Sequence, residues 1–128
     1  MRMLVFLVLD LAATGCGKPG PTLVGGKPIE DWVKALQHPD AKTRKIAAMK
    51  LGNVGPAHPA AFPALLDALK DRDAAVRCDV ILALVKFGAD AKDALPALDH
   101  IRNNDANAKV REYAAKALQK IDSSALPE

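Results

Sequence analysis

A chain of 128 residues holds one small domain, and less than that if either end lies outside the fold. Half of the residues are hydrophobic but only 4% are aromatic, so the core has to be built from Ala, Leu, Val and Ile, and a large aromatic-lined cavity is excluded. The net charge of +3 comes from interspersed signs with no Lys/Arg block, which argues against a nucleic-acid partner, and Cys16 and Cys78 alone make neither a disulfide framework nor a metal cluster.

Met1 to Gly15 reads as a secretory signal. Arg2 supplies the positive end, Leu4 to Leu9 with Leu11 the apolar stretch, and Ala12 to Gly15 the small residues before Cys16. The segment is too short to span a bilayer, which takes about 20 apolar residues. Ala13-Thr14-Gly15-Cys16 resembles the lipobox of bacterial lipoproteins, although Ala13 stands where Leu is usual and Asp10 interrupts the apolar stretch. The resemblance implies cleavage before Cys16 and lipidation of its thiol, with palmitate among the acyl groups. With Gly17 rather than Asp next, it also implies the cell envelope, at the periplasmic face of the outer membrane in a Gram-negative type cell.

Gly17 to Lys27 is rich in Gly and Pro, a composition that does not bury a core. With Cys16 it forms an expected anchor and flexible tether over residues 16–27, with an end-to-end distance of about 20 Å for a coil of this length.

From Pro28 the chain repeats itself. Asp40-Ala-Lys-Thr-Arg44, Asp73-Ala-Ala-Val-Arg77 and Asn107-Ala-Lys-Val-Arg111 are one pentad recurring 33 and then 34 residues on. After each Arg, the sets Ala47/Val80/Ala114, Ala48/Ile81/Ala115, Leu51/Leu84/Leu118 and Val54/Phe87/Ile121 fall at spacings of three and four, which describes one apolar helix face seen three times. A second element repeats between these, in Ile29 to Leu36, Phe62 to Leu69 and Leu95 to Arg102. Pro63 and Pro96 suit a first helical turn, where a missing N–H costs nothing. The pattern predicts helices over residues 29–37, 41–53, 59–70, 74–87, 91–102 and 108–121. Asp40, Asp73 and Asn107 are the expected N-caps, and Gly55 and Gly88 the expected breakers. One helix pair leaves its apolar face uncovered, so neighbouring pairs have to stack.

Asp-x-x-Val-Arg-x-x-Ala-x-x-Ala-Leu-Gly followed by Ala-x-Pro-Ala-Leu-x-x-Ala-Leu-x-Asp resembles the bacterial HEAT repeat, in particular the type shared with phycobilisome lyase subunits. The resemblance covers Pro28 to Ile121 and implies an all-α fold, a short α-solenoid of about two and a half repeats over residues 28–122, leaving 123–128 as a disordered tail. Lys116 and Gln119 replace Leu82 and Val85 of the preceding repeat, the polar flank expected of a closing unit.

Two stripes of side chains stand out. Arg44, Arg77 and Arg111 each follow a cap by four residues. In HEAT proteins this Arg looks inward to an Asp of its own or a neighbouring repeat, which implies a structural ladder of Asp40, Arg44, Asp73, Arg77, Asn107 and Arg111, with Asp40 or Asp73 as the acceptor. The resemblance also implies that the intervening helices line a concave surface. Lys34, Gln37, Asp67, Lys70, His100 and Asn103, together with Asp31, Ala64 and Ala97, are then its solvent side and the candidate contacts for a protein or peptide.

No nucleophile motif, phosphate loop or convergent metal spacing is present, so neither a catalytic residue nor a metal is expected, and no cofactor is implied. The His-Glu pairs of di-iron HEAT hydroxylases are absent as dipeptides. Cys78 aligns with Lys45 and Glu112, which places it on a polar flank, either as a reactive thiol or as a small half-covered residue. Trp32 aligns with Leu65 and Leu98 and is expected to cap the first repeat. The expected function is a membrane-anchored, non-catalytic interaction module. An accessory subunit or enzyme related to the phycobilisome lyases is the alternative.

Overall fold

The computed structural model describes residues 23–125. The expected signal, Cys16, most of the expected tether and the last three residues of the expected tail lie outside the described residues. The order of elements is β1 (Leu23–Val24), β2 (Lys27–Pro28), α1 (Ile29–Ala35), α2 (Ala41–Val54), α3 (Ala61–Ala68), α4 (Ala74–Val85), α5 (Leu95–Asn104) and α6 (Ala108–Ala125), with 3₁₀ turns at Gly55–Ala57 and Gly88–Ala94. All six predicted helices are present. The fifth starts later than its pattern, because Gly88–Ala94 winds as 3₁₀ before Leu95.

Two ends of the domain differ from expectation. Leu23 to Pro28, counted mostly as tether, fold into an antiparallel hairpin pairing Leu23 with Pro28 and Val24 with Lys27. The turn is Gly25-Gly26, and both residues have positive φ, as the tight turns that match strand twist demand. At the other end α6 runs on to Ala125, so residues 123–125 are helix rather than tail.

Caps and breakers fall where the repeat places them. The Asp40 carboxylate accepts from the Thr43 backbone N–H, Asp73 from Ala75, and Asn107 from both Lys109 and Val110. Gly55 and Gly88 have φ of 61° and 57°. The three capped helices form one layer, in which α2 packs on α4 and α4 on α6, and α1, α3 and α5 form a second layer whose members meet one another far less. Close approach within the first layer rests on Gly52, because a Cβ there would lie 2.7 Å from the Ala83 Cβ.

The core lies between the layers. Ile29, Leu65 and Leu98 from one side meet Leu51, Ile81, Leu84 and Ile121 from the other, all fully buried. Phe62 and Phe87 add an edge-on ring contact at 5.7 Å between centroids. Burial of this aliphatic surface, at about 25 cal/mol per Å², is the main force holding the layers together.

Trp32 is the buried cap expected of it. Its indole Nε1 donates to the Val24 carbonyl at 2.7 Å, and the ammonium groups of Lys27 and Lys50 lie 5.1 and 5.9 Å from the ring. The hairpin thereby closes the first repeat. Cys78 is buried rather than set on an exposed flank, and burial pushes its thiol pKa upward, away from the reactive thiolate.

Candidate functional site

The arginine stripe is an interior brace. Arg44 is buried and donates from Nε and Nη2 to the Asp71 carboxylate of the next repeat at 2.8 and 3.1 Å, while Nη1 donates to the His38 and Pro39 carbonyls. Arg77 repeats the arrangement one unit on, with both of its bonds to Asp105 at 2.9 Å and Nη1 on the Asp71 carbonyl. Arg111 completes the series with a bond to the Asp105 carbonyl. Asp71 and Asp105 thus each join two arginines, one through the side chain and one through the backbone.

These acceptors replace the expected ones. Asp40 and Asp73 are occupied as caps, and their carboxylates point at their own helix starts rather than across to an Arg. The acceptor stands two residues before the next cap, in Asp71-Arg72-Asp73 and Asp105-Ala106-Asn107. From that position Asp71 Oδ1 also accepts the Asp73 N–H and Asp105 Oδ1 the Asn107 N–H, which fixes the turn. Burial alone would raise the Asp105 carboxyl, but hydrogen bonds from Arg77 and Asn107, with the charges of Arg77 and Arg111, hold it below the ordinary carboxylate range. The Arg44–Asp71 pair is closed to solvent, with both side chains under a tenth exposed, so the stripe offers little surface to a ligand.

The polar stripe along α1, α3, α5 and the turns that end the first two is exposed at the expected positions. Lys34, Gln37, Asp67, Lys70, His100 and Asn103 all face solvent, whereas Ala64 and Ala97 are half-buried against the core. Gln37, Asp67 and Lys70 border a depression of about 280 Å³ at the outer end of the Arg44–Asp71 pair. His100 and Asn103 are tied to their own helix by bonds from Asn104 to His100 and from Asn103 to the Asp99 carbonyl.

A larger groove of about 650 Å³ lies in the other layer, across α2, α4 and α6. Met49 lines it from α2, then Asp79 and Leu82 from α4 with Lys86 at its C-cap, and Tyr113, Lys116 and Lys120 from α6. In the repeat frame these are the positions two, five and nine residues after each Arg, so each helix presents one face at spacings of three and four. Ile46 shares that face with Met49. Ile46, Met49 and Leu82 are 39%, 46% and 48% exposed, and only Leu23 joins them among the described large hydrophobics left in solvent.

The groove escaped the sequence reading because Ile46, Met49 and Leu82 look like core in a helix rich in Ala and Leu. Their register against the Arg separates them from the buried set, since Ala47, Ala48 and Leu51 are fully buried while Ile46 and Met49 are not. The groove's charge is uneven. Lys86 Nζ donates to the Asn53 side-chain oxygen at 2.6 Å, and Lys116 pairs with Glu112 at 2.8 Å along α6. The mutual hydrogen bond lowers the Glu112 pKa and raises that of Lys116.

Among the described residues no group of three or more His, Cys, Asp or Glu side chains could hold a metal ion, and no helix is long and apolar enough to cross a membrane. The family model described as HEAT repeats matches residues 29–126, nearly the whole described domain. No curated protein matches the chain.

Proposed function

Since the chain belongs to the HEAT-repeat family, whose repeats commonly mediate protein–protein interaction, we propose that it is a non-catalytic docking module held at a membrane surface, with its partner seated on the outward face of α2, α4 and α6. The observation that carries this reading is the cluster of Ile46, Met49 and Leu82, three of the four large hydrophobics the described surface exposes, gathered on one face beside the groove across α2, α4 and α6. Scattered apolar residues need no explanation, but a contiguous apolar patch rimmed by charge marks an interaction surface. Repeats of this kind supply extended surface rather than convergent catalytic groups.

Membrane attachment rests on the Ala13-Thr14-Gly15-Cys16 pattern. A lipidated Cys16 followed by a short Gly/Pro tether places the hairpin and Trp32 end of the stack nearest the bilayer and leaves the groove free for a partner in the envelope. A single acyl chain holds a protein only marginally, whereas the two chains of a diacylglyceryl group on Cys16 are enough for stable anchoring.

Site-specific photo-cross-linking in the native host tests the docking face. A cross-linker at position 82 should trap a discrete partner band, and one at position 67, on the opposite layer, should not. Equal trapping from both positions, or trapping from 67 alone, refutes the assignment. For the anchor, Cys16→Ala should abolish incorporation of a clickable fatty acid, and unchanged labelling refutes it.

A further inference from the structure

The groove is chemically graded from one end to the other. In the row five residues after each Arg it runs Met49, Leu82, Lys116, and in the row nine residues after it runs Asn53, Lys86, Lys120. Apolar surface therefore sits over α2 and α4, and cationic surface over the end of α4 and over α6. Three lysines line the groove against one lining carboxylate, Asp79, which stands in the row nearer the Arg, and Lys116 also pairs with Glu112 on its own helix, so the lysines remain in excess. Lys86 donates to the neutral Asn53 amide oxygen rather than to an acid.

We propose that the groove takes an acidic amphipathic segment of a protein partner, its apolar side chains resting on Met49 and Leu82 and its carboxylates meeting Lys86, Lys116 and Lys120. The inference rests on the docking face assigned above and adds the chemistry and direction of the occupant. Two helix spacings of 8–10 Å separate α2 from α6, so the groove spans about 20 Å. That is the length of about 13 helical residues at 1.5 Å each. A helix with leucines on one face of its first half and glutamates towards its second matches both the width and the gradient. Charge complementarity of this kind sets orientation and rejects wrong partners more than it adds affinity.

Fluorescence anisotropy with the full chain and two synthetic 14-residue peptides tests the inference. One carries Leu on one helical face and Glu towards its C-terminal half, and the other has Lys in place of every Glu. The Glu peptide should bind at least tenfold more tightly than the Lys peptide. Lys86→Glu with Lys116→Glu should reverse that preference, and Leu82→Asp should weaken the Glu peptide about tenfold, each variant keeping the parent's urea midpoint. Equal binding of the two peptides, or a preference unmoved by the lysine reversals, overturns the acidic-partner inference while leaving the docking face to the cross-linking result. Groove-dependent binding to phosphatidylglycerol vesicles without binding of the Glu peptide also overturns it, in favour of a lipid surface.

Discussion

Along α2, α4 and α6, the stripe at Arg44, Arg77 and Arg111 keeps one residue type in every unit, whereas the stripe at Met49, Leu82 and Lys116 passes from apolar to cationic. The first stripe points between repeats and the second points out of the same helices into the groove. Stacking requires each repeat to present the same connector to the next, so the interior stripe is held constant by the architecture. The outward stripe is under no such demand, and its variation from one unit to the next gives the surface a direction. In a repeat protein, departures from the repeat are therefore the better guide to function, and agreement with it the better guide to stability.

The largest effect should come from breaking the interior stripe. Asp71→Ala leaves the Arg44 guanidinium buried without its carboxylate, and it also removes the acceptor that fixes the Asp73 N–H. Loss of one partner from a buried pair costs about 3–5 kcal/mol. Urea unfolding should show a loss in that range, and a loss below about 1 kcal/mol would mean that the ladder is decoration on a stack held by its aliphatic core alone.

Much of that stack was legible in the residues. The recurring pentad located α2, α4 and α6 with their caps and the Gly55 and Gly88 ends, and the second repeated element located α1, α3 and α5, because helix periodicity and capping are local and three copies average out exceptions. Ladder acceptors were harder to read. Arg44 and Asp71 are 27 residues apart, and Arg77 and Asp105 28, so the pairing crosses a repeat boundary that within-unit alignment does not see. The recurring Asp two places before a cap was the available signal. For Cys78, the aligned Lys45 and Glu112 suggested exposure, but the position is covered in the middle unit, where repeats flank it on both sides. Gly25-Gly26 was counted as linker composition, although two glycines between Leu-Val and Lys-Pro are also a hairpin turn.

A smaller effect, with a defined pH dependence, separates the second rung from the first. The Asp105 pKa is depressed in the folded chain, so its contribution is fully present above the unfolded carboxylate value near pH 4 and is lost as pH falls through the folded value. Asp105→Asn keeps hydrogen-bonding atoms at the turn but carries no charge at any pH. The variant should be less stable than the parent at pH 7, and the gap should close as pH falls below about 4. Urea midpoints between pH 7 and pH 2 read this directly. A gap independent of pH would assign the loss to packing rather than to the Arg77 pair.

The smallest effect on stability should come from the outward stripe, and its smallness is what gives the comparison its force. Leu82 is half in solvent and belongs to no buried cluster, so Leu82→Gln removes apolar surface that folding did not hide. Surface substitutions away from caps and buried pairs stay within about 0.5 kcal/mol, and the urea midpoint should shift no further than that allows. Partner cross-linking from a neighbouring groove position should nevertheless fall, because the same side chain offers the partner its apolar footing. A variant that unfolds as readily as Asp71→Ala would place Leu82 with the core, and one that leaves both stability and capture unchanged would remove it from the docking face. Stability kept with capture lost is the signature of a surface selected for what it touches rather than for what it holds together.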